Sequence, residues 1–347
     1  MRVGIYTHYS HCDAAYLAIR LADFLRSQNI ECSIYSENQP GKLKVSHDNT
    51  VLHKKKIKYT NWVRTLSTVI WTRPPKLEQV AYARRAGCNT VIVPMWQELV
   101  RPFRKVMQRV DHVVAMNTEC RELFAAVYKF KNVTLIPFDT GLPVVKKNKP
   151  VDPKKVKIFL PWFDRNARCA NSTFLGFLNY LILRMPDAQL TVAVSSSKFS
   201  PAIAKFFQTL DRKTAGRVKL VRNVPLTKRL ELYTNHDLTF YPAECDNYGF
   251  SALTSINCGT PVLSFNLSPQ ADFIQQDTNG VLIKTKIDYD ENGVPHAAPD
   301  YERLITGLQT FIAEPWHIDN LNKRVNHNIN TRRRAFELGW QTILRLV

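Results

Sequence analysis

The sequence has no apolar run that approaches the ~20 residues of a transmembrane helix. Its start, MRVGIYTHYS, lacks the apolar core and cleavage site of a signal peptide, and we interpret it as a buried strand. The 7 cysteines include no CxxC pair, which argues against a zinc site and for reduced, mostly buried thiols. These absences predict a cytoplasmic protein that has no metal site.

Acidic residues are also scarce relative to basic ones. The chain has 29 Asp and Glu against 48 Lys and Arg, which gives a formal net charge of +19. A field of that strength attracts polyanions, so the candidate partners are nucleic acid, an anionic membrane surface or a phosphorylated glycan. A general solubility charge is the alternative.

Buried strands alternate with amphipathic helices along the 347 residues, which are enough for two domains. The order of a strand at 1–7, a helix at 14–27 and a strand at 31–35 is typical of a parallel, doubly wound sheet. Residues 143–155 hold three prolines and five lysines and are typical of an exposed linker, whereas residues 287–299 are typical of an acidic, exposed turn segment. We therefore expect two Rossmann-like domains, residues 1–145 and 155–320, followed by a helix at 321–347.

Residues 241–263, YPAECDNYGFSALTSINCGTPVL, are the stretch around which we expect the site to form. A strand runs into a polar acidic loop, then a glycine turn, then a short apolar helix, and open α/β sheets bind ligands in such loops. Backbone amides at Gly249, Phe250 and Ser251 suit a phosphate, and the carboxylates of Glu244 and Asp246 suit sugar hydroxyls. The stretch predicts a sugar-phosphate or nucleotide-sugar site, and a strand–loop–helix without a ligand is the alternative.

The run DNYGFSALTSINCGTPVLSF resembles the signature of retaining GT-B glycosyltransferases of the glycogen-synthase-like group. Without gaps, Asp246 takes the first acidic position, Gly249 the glycine, Thr254 the second Glu, and Gly259 and Pro261 the end of the signature. Two positions depart from it: the first Glu is an Asp, unless Glu244 replaces it, and the second, which holds the ribose in the family, is a threonine. The resemblance implies an α/β GT-B fold, in which two Rossmann-like doubly wound domains enclose a cleft. It makes residues 1–145 the N-terminal Rossmann-like acceptor domain, residues 155–320 the C-terminal Rossmann-like nucleotide-sugar domain, and residues 321–347 a C-terminal helix that crosses back to the N-terminal domain.

The resemblance also implies a set of site residues and no cofactor beyond the nucleotide-sugar cosubstrate, such as a UDP-sugar. Arginines in the loop 161–172 grip the donor diphosphate, although surface arginines are an equal alternative. In a retaining reaction, Asp246 or Glu244 orients the sugar. A reaction that inverts the anomeric configuration would instead need a base such as His11 or Asp13. Asp13 also suits the cap of the first helix. The predicted donor-binding residues are Arg165, Arg168, Asn247, Tyr248, Gly249, Phe250, Ser251 and Thr254.

The net charge favours DNA carrying a hydroxymethylated base as the acceptor, the substrate of phage DNA glycosyltransferases, which work in the host cytoplasm. Basic residues next to aromatic ones can follow a phosphate backbone, although solvated basic surfaces look the same in sequence. The alternatives are a peripheral lipopolysaccharide or capsule glycosyltransferase on a membrane surface, or a non-catalytic nucleic-acid-binding protein on the same scaffold. The predicted nucleic-acid-binding residues are Lys54, Lys55, Lys56, Arg101, Arg104 and Lys105.

Overall fold

The computed structural model describes residues 1–8, 13–37, 51–53, 55, 57–95, 101–145, 155–162, 171–194, 201–222, 224, 226–298, 300–313 and 318–346. The chain forms two compact units. Unit 1 contains residues 1–141, 291–294 and 332–347, and unit 2 contains residues 142–290 and 295–331. Each unit is built around its own parallel sheet with helices between the strands, which confirms the predicted pair of Rossmann-like α/β units.

The sheet of unit 1 has seven parallel strands in the order β3-β2-β1-β4-β5-β6-β7. Its strands are β1 (Arg2–Thr7), β2 (Glu31–Ser36), β3 (Val51–His53), β4 (Thr68–Trp71), β5 (Asn89–Ile92), β6 (His112–Ala115) and β7 (Val133–Leu135). Its helices are α1 (Asp13–Ser27), α2 (Tyr59–Val63), α3 (Leu77–Arg85), α4 (Arg101–Met107) and α5 (Thr118–Glu122), followed by a π-helix (Leu123–Val127). The central strands are buried on both faces, and this explains why they are almost entirely apolar in sequence.

The sheet of unit 2 has six parallel strands in the order β10-β9-β8-β11-β12-β13. Its strands are β8 (Lys157–Trp162), β9 (Gln189–Val194), β10 (Val218–Arg222), β11 (Leu238–Tyr241), β12 (Val262–Phe265) and β13 (Gly280–Ile283). Its helices are α6 (Asn171–Arg184), α7 (Pro201–Thr209), α8 (Arg212–Ala215), α9 (Leu226–Asn235), α10 (Phe250–Asn257) and α11 (Tyr301–Ala313). Phe177 of α6 stacks on Phe240 of β11 with ring centroids 4.3 Å apart, at the centre of this core.

The segment 287–299, predicted to be an exposed turn, instead forms a two-stranded hairpin. Strands β14 (Ile287–Tyr289) and β15 (Pro295–Ala297) pair antiparallel. The four residues 291–294 at its turn belong to unit 1, where the hydroxyl of Tyr128 donates to the carbonyl of Asn292 at 2.6 Å. Val294 is buried there, so the segment contributes to a core despite its polar sequence.

The last helix, α12 (Ile318–Leu346), contributes residues to both units, with residues 332–347 assigned to unit 1. Phe336, Trp340 and Ile343 of this part are fully buried. In the part of the chain that the structure describes, no helix is long and apolar enough to cross a membrane.

Candidate functional site

The candidate site of unit 2 lies where the strand order of its sheet reverses. From β8 the chain adds β9 and β10 on one side, and β11, β12 and β13 on the other, so β8 and β11 flank the reversal point. In open α/β sheets ligands bind at the carboxyl ends of the strands at such a switch point. The acidic loop follows β11, and the loop with Arg165 and Arg168 follows β8, although residues 163–170 lie outside the described residues.

The turn into α10 requires a glycine. Gly249 has φ 67° and ψ 29°, in the left-handed region, and a Cβ at this position would lie 2.5 Å from the ring of Phe273. No side chain among the described residues caps α10, and the first amides of any α-helix have no acceptor within the helix. Helix starts of this kind can bind phosphate, and here Phe250 and Ser251 are 7% and 8% exposed.

Asp246 is held firmly by its neighbours. The carboxylate is 4% exposed, and its Oδ2 accepts hydrogen bonds from the Tyr241 hydroxyl at 2.8 Å and from Nε2 of Gln270 at 3.4 Å. Its Oδ1 accepts from the backbone amide of Asn247 at 2.6 Å. These three bonds fix the orientation of the Asp246 carboxylate within the loop.

Glu244, Asn247 and Tyr248 form the rest of the acidic loop. The backbone carbonyl of Glu244 accepts from the amide of Ala297 at 2.8 Å, so β15 lies against this loop. The side chain of Glu244 is half-buried, whereas Asn247 and Tyr248 are each 1% exposed. Asn247 and Tyr248 are thus buried within the loop, and Glu244 and Asp246 carry its acidic groups.

Thr254 is fully buried, and its hydroxyl donates to the carbonyl of Phe250 at 2.7 Å within α10. Threonine commonly forms this bond to the carbonyl four residues earlier, because its hydroxyl lies close to the helix backbone. The residue presents no surface to a ligand, so the geometry does not favour the predicted donor contact.

Gln270 is a site residue that sequence reasoning missed. It lies in the 3₁₀ turn after β12, is 1% exposed and donates to Asp246 across 24 positions of sequence. No local pattern marks such a contact, because it depends on β11 and β12 being neighbours in the sheet.

At the carboxyl edge of the first sheet, Asp13 is the first residue of α1, but its side chain and all of His11 lie outside the described part. The described side chains at this edge are polar. Oγ1 of Thr72 donates to Oγ1 of Thr7 at 2.7 Å, and Arg73 is hydrogen-bonded to His8. No sequence pattern singles out Arg73.

A second polar group at this edge surrounds Tyr6. Nε2 of Gln79 donates to Glu37 at 3.1 Å. The hydroxyl of Tyr6 interacts with both of these residues, and burial is the main cause that raises the pKa of Tyr6. The Tyr6 phenol is therefore a hydrogen-bond donor at any ordinary pH.

Among the described residues no group of three or more His, Cys, Asp or Glu side chains is arranged to hold a metal ion.

The predicted nucleic-acid-binding residues are in different environments. Lys55 and Lys105 are exposed, as a phosphate-binding surface requires. The guanidinium of Arg104 instead lies 4.0 Å from the ring centroid of Tyr128 and is half-buried, so it stabilises α4 against the core of unit 1. Lys54, Lys56 and the side chain of Arg101 fall outside the described residues.

Residues 205–292, which include the whole acidic loop and α10, match the family model described as glycosyl transferases group 1. The chain has no significant sequence match among curated proteins. This match, with the fold, supports a glycosyltransferase of the GT-B class.

Several solved structures are similar to this chain over its whole length, all at low sequence identity, and three of them illustrate the similarity. They are a mutant of S. aureus TarM in complex with Fondaparinux, alpha-GlcNAc-glycerol and UDP (TM-score 0.74, 8% identity, 99% of both chains), sucrose-phosphate synthase from Thermosynechococcus elongatus (0.72, 13%, 100% of this chain and 98% of that one), and the lipopolysaccharide outer core galactosyltransferase WaaB (0.65, 12%, 100% of both). These similarities confirm the predicted GT-B fold.

Proposed function

We propose that the protein is a glycosyltransferase that moves a sugar from a nucleotide-sugar, such as a UDP-sugar, to a hydroxyl group. The observation that carries this proposal is the oriented carboxylate of Asp246 in the loop before α10, at the switch point of unit 2. Support comes from the family model that matches this segment and from the UDP in the similar TarM structure.

In the retaining reaction that we propose, the bond between the anomeric carbon and the donor phosphate oxygen breaks. A bond to the acceptor oxygen forms on the same face, and the acceptor proton passes to the leaving phosphate. Asp246 or Glu244 orients the sugar, while Arg165, Arg168 and the amides of Gly249, Phe250 and Ser251 stabilise the leaving diphosphate. Loss of one such electrostatic contact typically raises the barrier by about 2.7–4 kcal/mol.

The acceptor that we propose is DNA with a hydroxymethylated base. The net charge of +19 and the exposed Lys55 and Lys105 support a polyanionic acceptor. A base inside a duplex must usually leave the stack before an enzyme can modify it.

The donor proposal is tested by thermal unfolding with a panel of nucleotide-sugars. A ligand at 100 times its dissociation constant stabilises the folded state by about 2.7 kcal/mol, which is readily measured. Asp246→Asn keeps the shape of the side chain and is expected to lower the kcat/KM of transfer or donor hydrolysis strongly. Tyr241→Phe is the matched control, because it removes a hydrogen bond to the same carboxylate but keeps its charge. The donor proposal fails if no nucleotide-sugar stabilises the wild-type protein, or if both variants lose activity equally.

The acceptor is tested by transfer of labelled sugar to hydroxymethylated DNA, with unmodified DNA and lipopolysaccharide as parallel acceptors. Transfer to lipopolysaccharide alone indicates the peripheral membrane enzyme. DNA binding with neither transfer nor donor hydrolysis indicates a non-catalytic nucleic-acid-binding protein.

A further inference from the structure

The amino-terminal edge of the unit 1 sheet carries a row of exposed basic side chains. All strands of a parallel sheet begin at the same edge, so the segments that lead into β4, β5, β6 and β7 lie side by side there. These segments, residues 64–67, 84–88, 108–111 and 128–132, contain a single acidic residue, Asp111. Their basic residues, all exposed, form what we call the basic row: Arg64, Arg84, Arg85, Arg109, Lys129 and Lys131.

Hydrogen bonds hold the four segments next to each other. The bonds run from the amide of Asn89 to the carbonyl of Ser67 at 3.0 Å, from Nη1 of Arg84 to the carbonyl of Arg109 at 3.1 Å, and from Nδ2 of Asn132 to the carbonyl of Asp111 at 2.8 Å. Neighbouring strands are about 4.8 Å apart, so the row crosses four strands over about 14 Å. Its cations therefore lie along a line.

Most of this positive charge is not compensated by the described residues. Asp111 lies 3.5 Å from Arg84, which accounts for the one carboxylate of the segments. The guanidinium of Arg64 lies 5.8 Å from the ring centroid of Tyr82, a contact that leaves its net charge in place. In the part of the chain that the structure describes, no ion pair involves the remaining four cations, Arg85, Arg109, Lys129 and Lys131.

Stabilisation of helix ends explains only part of the row. Arg84 and Arg85 lie in the last turn of α3, where cations interact favourably with the helix dipole. Arg109 follows the end of α4, and Lys129 and Lys131 follow the end of the π-helix. Helix stability alone therefore does not account for these three exposed cations.

The apolar residues of the same segments indicate which polyanion fits. Leu66, Tyr128 and Phe130 are 7%, 6% and 7% exposed, so they offer neither the apolar anchors of a membrane-surface segment nor aromatic faces for single-stranded bases. Val127 beside the row is exposed, but one valine is a small anchor. A duplex requires only a line of cations, and one strand of DNA presents about four phosphates over about 14 Å of helix axis.

We propose that the basic row at the amino edge of unit 1 binds the phosphate backbone of duplex DNA without reading its sequence. Guanidinium forks match phosphate oxygens, and such backbone contacts position a protein on DNA but do not distinguish bases. DNA bound there does not occupy the carboxyl edge of the same sheet, where open α/β sheets bind their substrates. The choice of DNA rests on the proposed acceptor, whereas the row itself does not.

Fluorescence anisotropy with an unmodified DNA duplex, in the absence of any nucleotide-sugar, tests this inference. Arg85→Gln with Lys131→Gln should make the slope of log K against log salt shallower by about 1.8 and weaken binding about fiftyfold at about 0.1 M salt, because each phosphate contact contributes about 0.9 to the slope. Arg212→Gln with Lys213→Gln is the matched control, because it removes the same two charges from exposed residues of α8 in unit 2. The control should change both quantities much less, and duplexes of unrelated sequence should bind alike.

A second measurement needs no variant. DNA should slow the chemical acetylation of Lys129 and Lys131 in the wild-type protein, as measured by mass spectrometry, and leave that of Lys213 unchanged. Equal weakening by the two double variants, or equal protection of the three lysines, assigns the binding to the overall field and overturns the inference.

The partner and the enzymatic function are tested separately from the row. If vesicles of phosphatidylserine and phosphatidylcholine bind through Arg85 and Lys131 and DNA does not, the row is a membrane surface and the inference is overturned. If the protein binds DNA through the row but transfers no sugar, the proposed function fails alone, because binding is read without a nucleotide-sugar.

Discussion

Gly249 permits a direct test of the local geometry of the acidic loop. The left-handed region costs a residue with a Cβ about 1–2 kcal/mol, and here the Cβ also meets the Phe273 ring at 2.5 Å. Gly87 has a similar φ of +78° but nothing within 4 Å of its would-be Cβ, so Gly87→Ala carries the backbone strain alone. We expect Gly249→Ala to lower the Tm more than Gly87→Ala does. Equal shifts would mean that Phe273 moves aside without cost.

Cys32 gives a pH dependence whose sign follows from its burial, which raises the pKa of the thiol from 9.0 to about 12. Unfolded chains lose this proton at lower pH than folded ones, so the free energy of unfolding falls as the pH rises from about 9 towards 12. Cys32→Ala removes this contribution and should make the decline shallower, as measured by urea unfolding across that range. Parallel pH profiles for the two proteins would contradict the assignment, whatever the offset between them.

At the scale of elements, the C-terminal part of α12 is bound within unit 1 by an ion cluster. Arg20 of α1 contacts Asp139 at 2.7 Å and Glu337 of α12 at 3.0 Å, and Asp139 is 3% exposed. Arg333 of α12 also lies 3.5 Å from Asp139. The cluster joins α1, the segment after β7 and α12 through one buried carboxylate.

Arg20→Met should therefore be strongly destabilising, because it leaves Asp139 buried with less compensation. Removing one partner of a buried pair costs about 3–5 kcal/mol, and Arg333 keeps the expected loss near the lower figure. Arg2→Met is the control, since its pair with Glu31 is 49% and 66% exposed and is worth below about 1 kcal/mol. Denaturant unfolding measures both. A loss for Arg20→Met no larger than for Arg2→Met would show that Asp139 finds full compensation elsewhere.

The elements that sequence predicted are those whose signal is local. The strands are apolar because both faces of each parallel sheet are covered by helices. The turn before α10 is predictable because its left-handed conformation favours a glycine, which is Gly249. The hairpin at 287–297 was missed because its buried Val294 and Ala297 are scattered among polar residues. The π-helix after α5 has no sequence signal of its own. The burial of Thr254 depends on packing by distant strands, which a linear pattern does not contain.

At the scale of the whole molecule, the two sheets repeat one arrangement. Each reverses its strand order once, beside β1 in unit 1 and beside β8 in unit 2, and each therefore has one preferred ligand edge. The residues at these edges differ in charge: Asp246 and Glu244 lie in the loop at the unit 2 switch point, and Arg73 and His8 at the unit 1 switch point. The proposed recognition of a sugar rests on the acidic residues at the unit 2 edge.

The net charge of +19 predicts DNA binding that depends on both salt and position. We expect the logarithm of the binding constant to fall with the logarithm of salt, by about 0.9 for each phosphate contact. Lys55→Glu with Lys105→Glu changes unit 1, and Lys213→Glu with Lys219→Glu makes the same charge change on exposed residues of unit 2. If the basic residues of unit 1 contact DNA, fluorescence anisotropy will show a weaker affinity and a shallower salt slope for the first pair than for the second. Equal losses would instead assign the binding to the overall field, because both pairs reduce the net charge by the same amount.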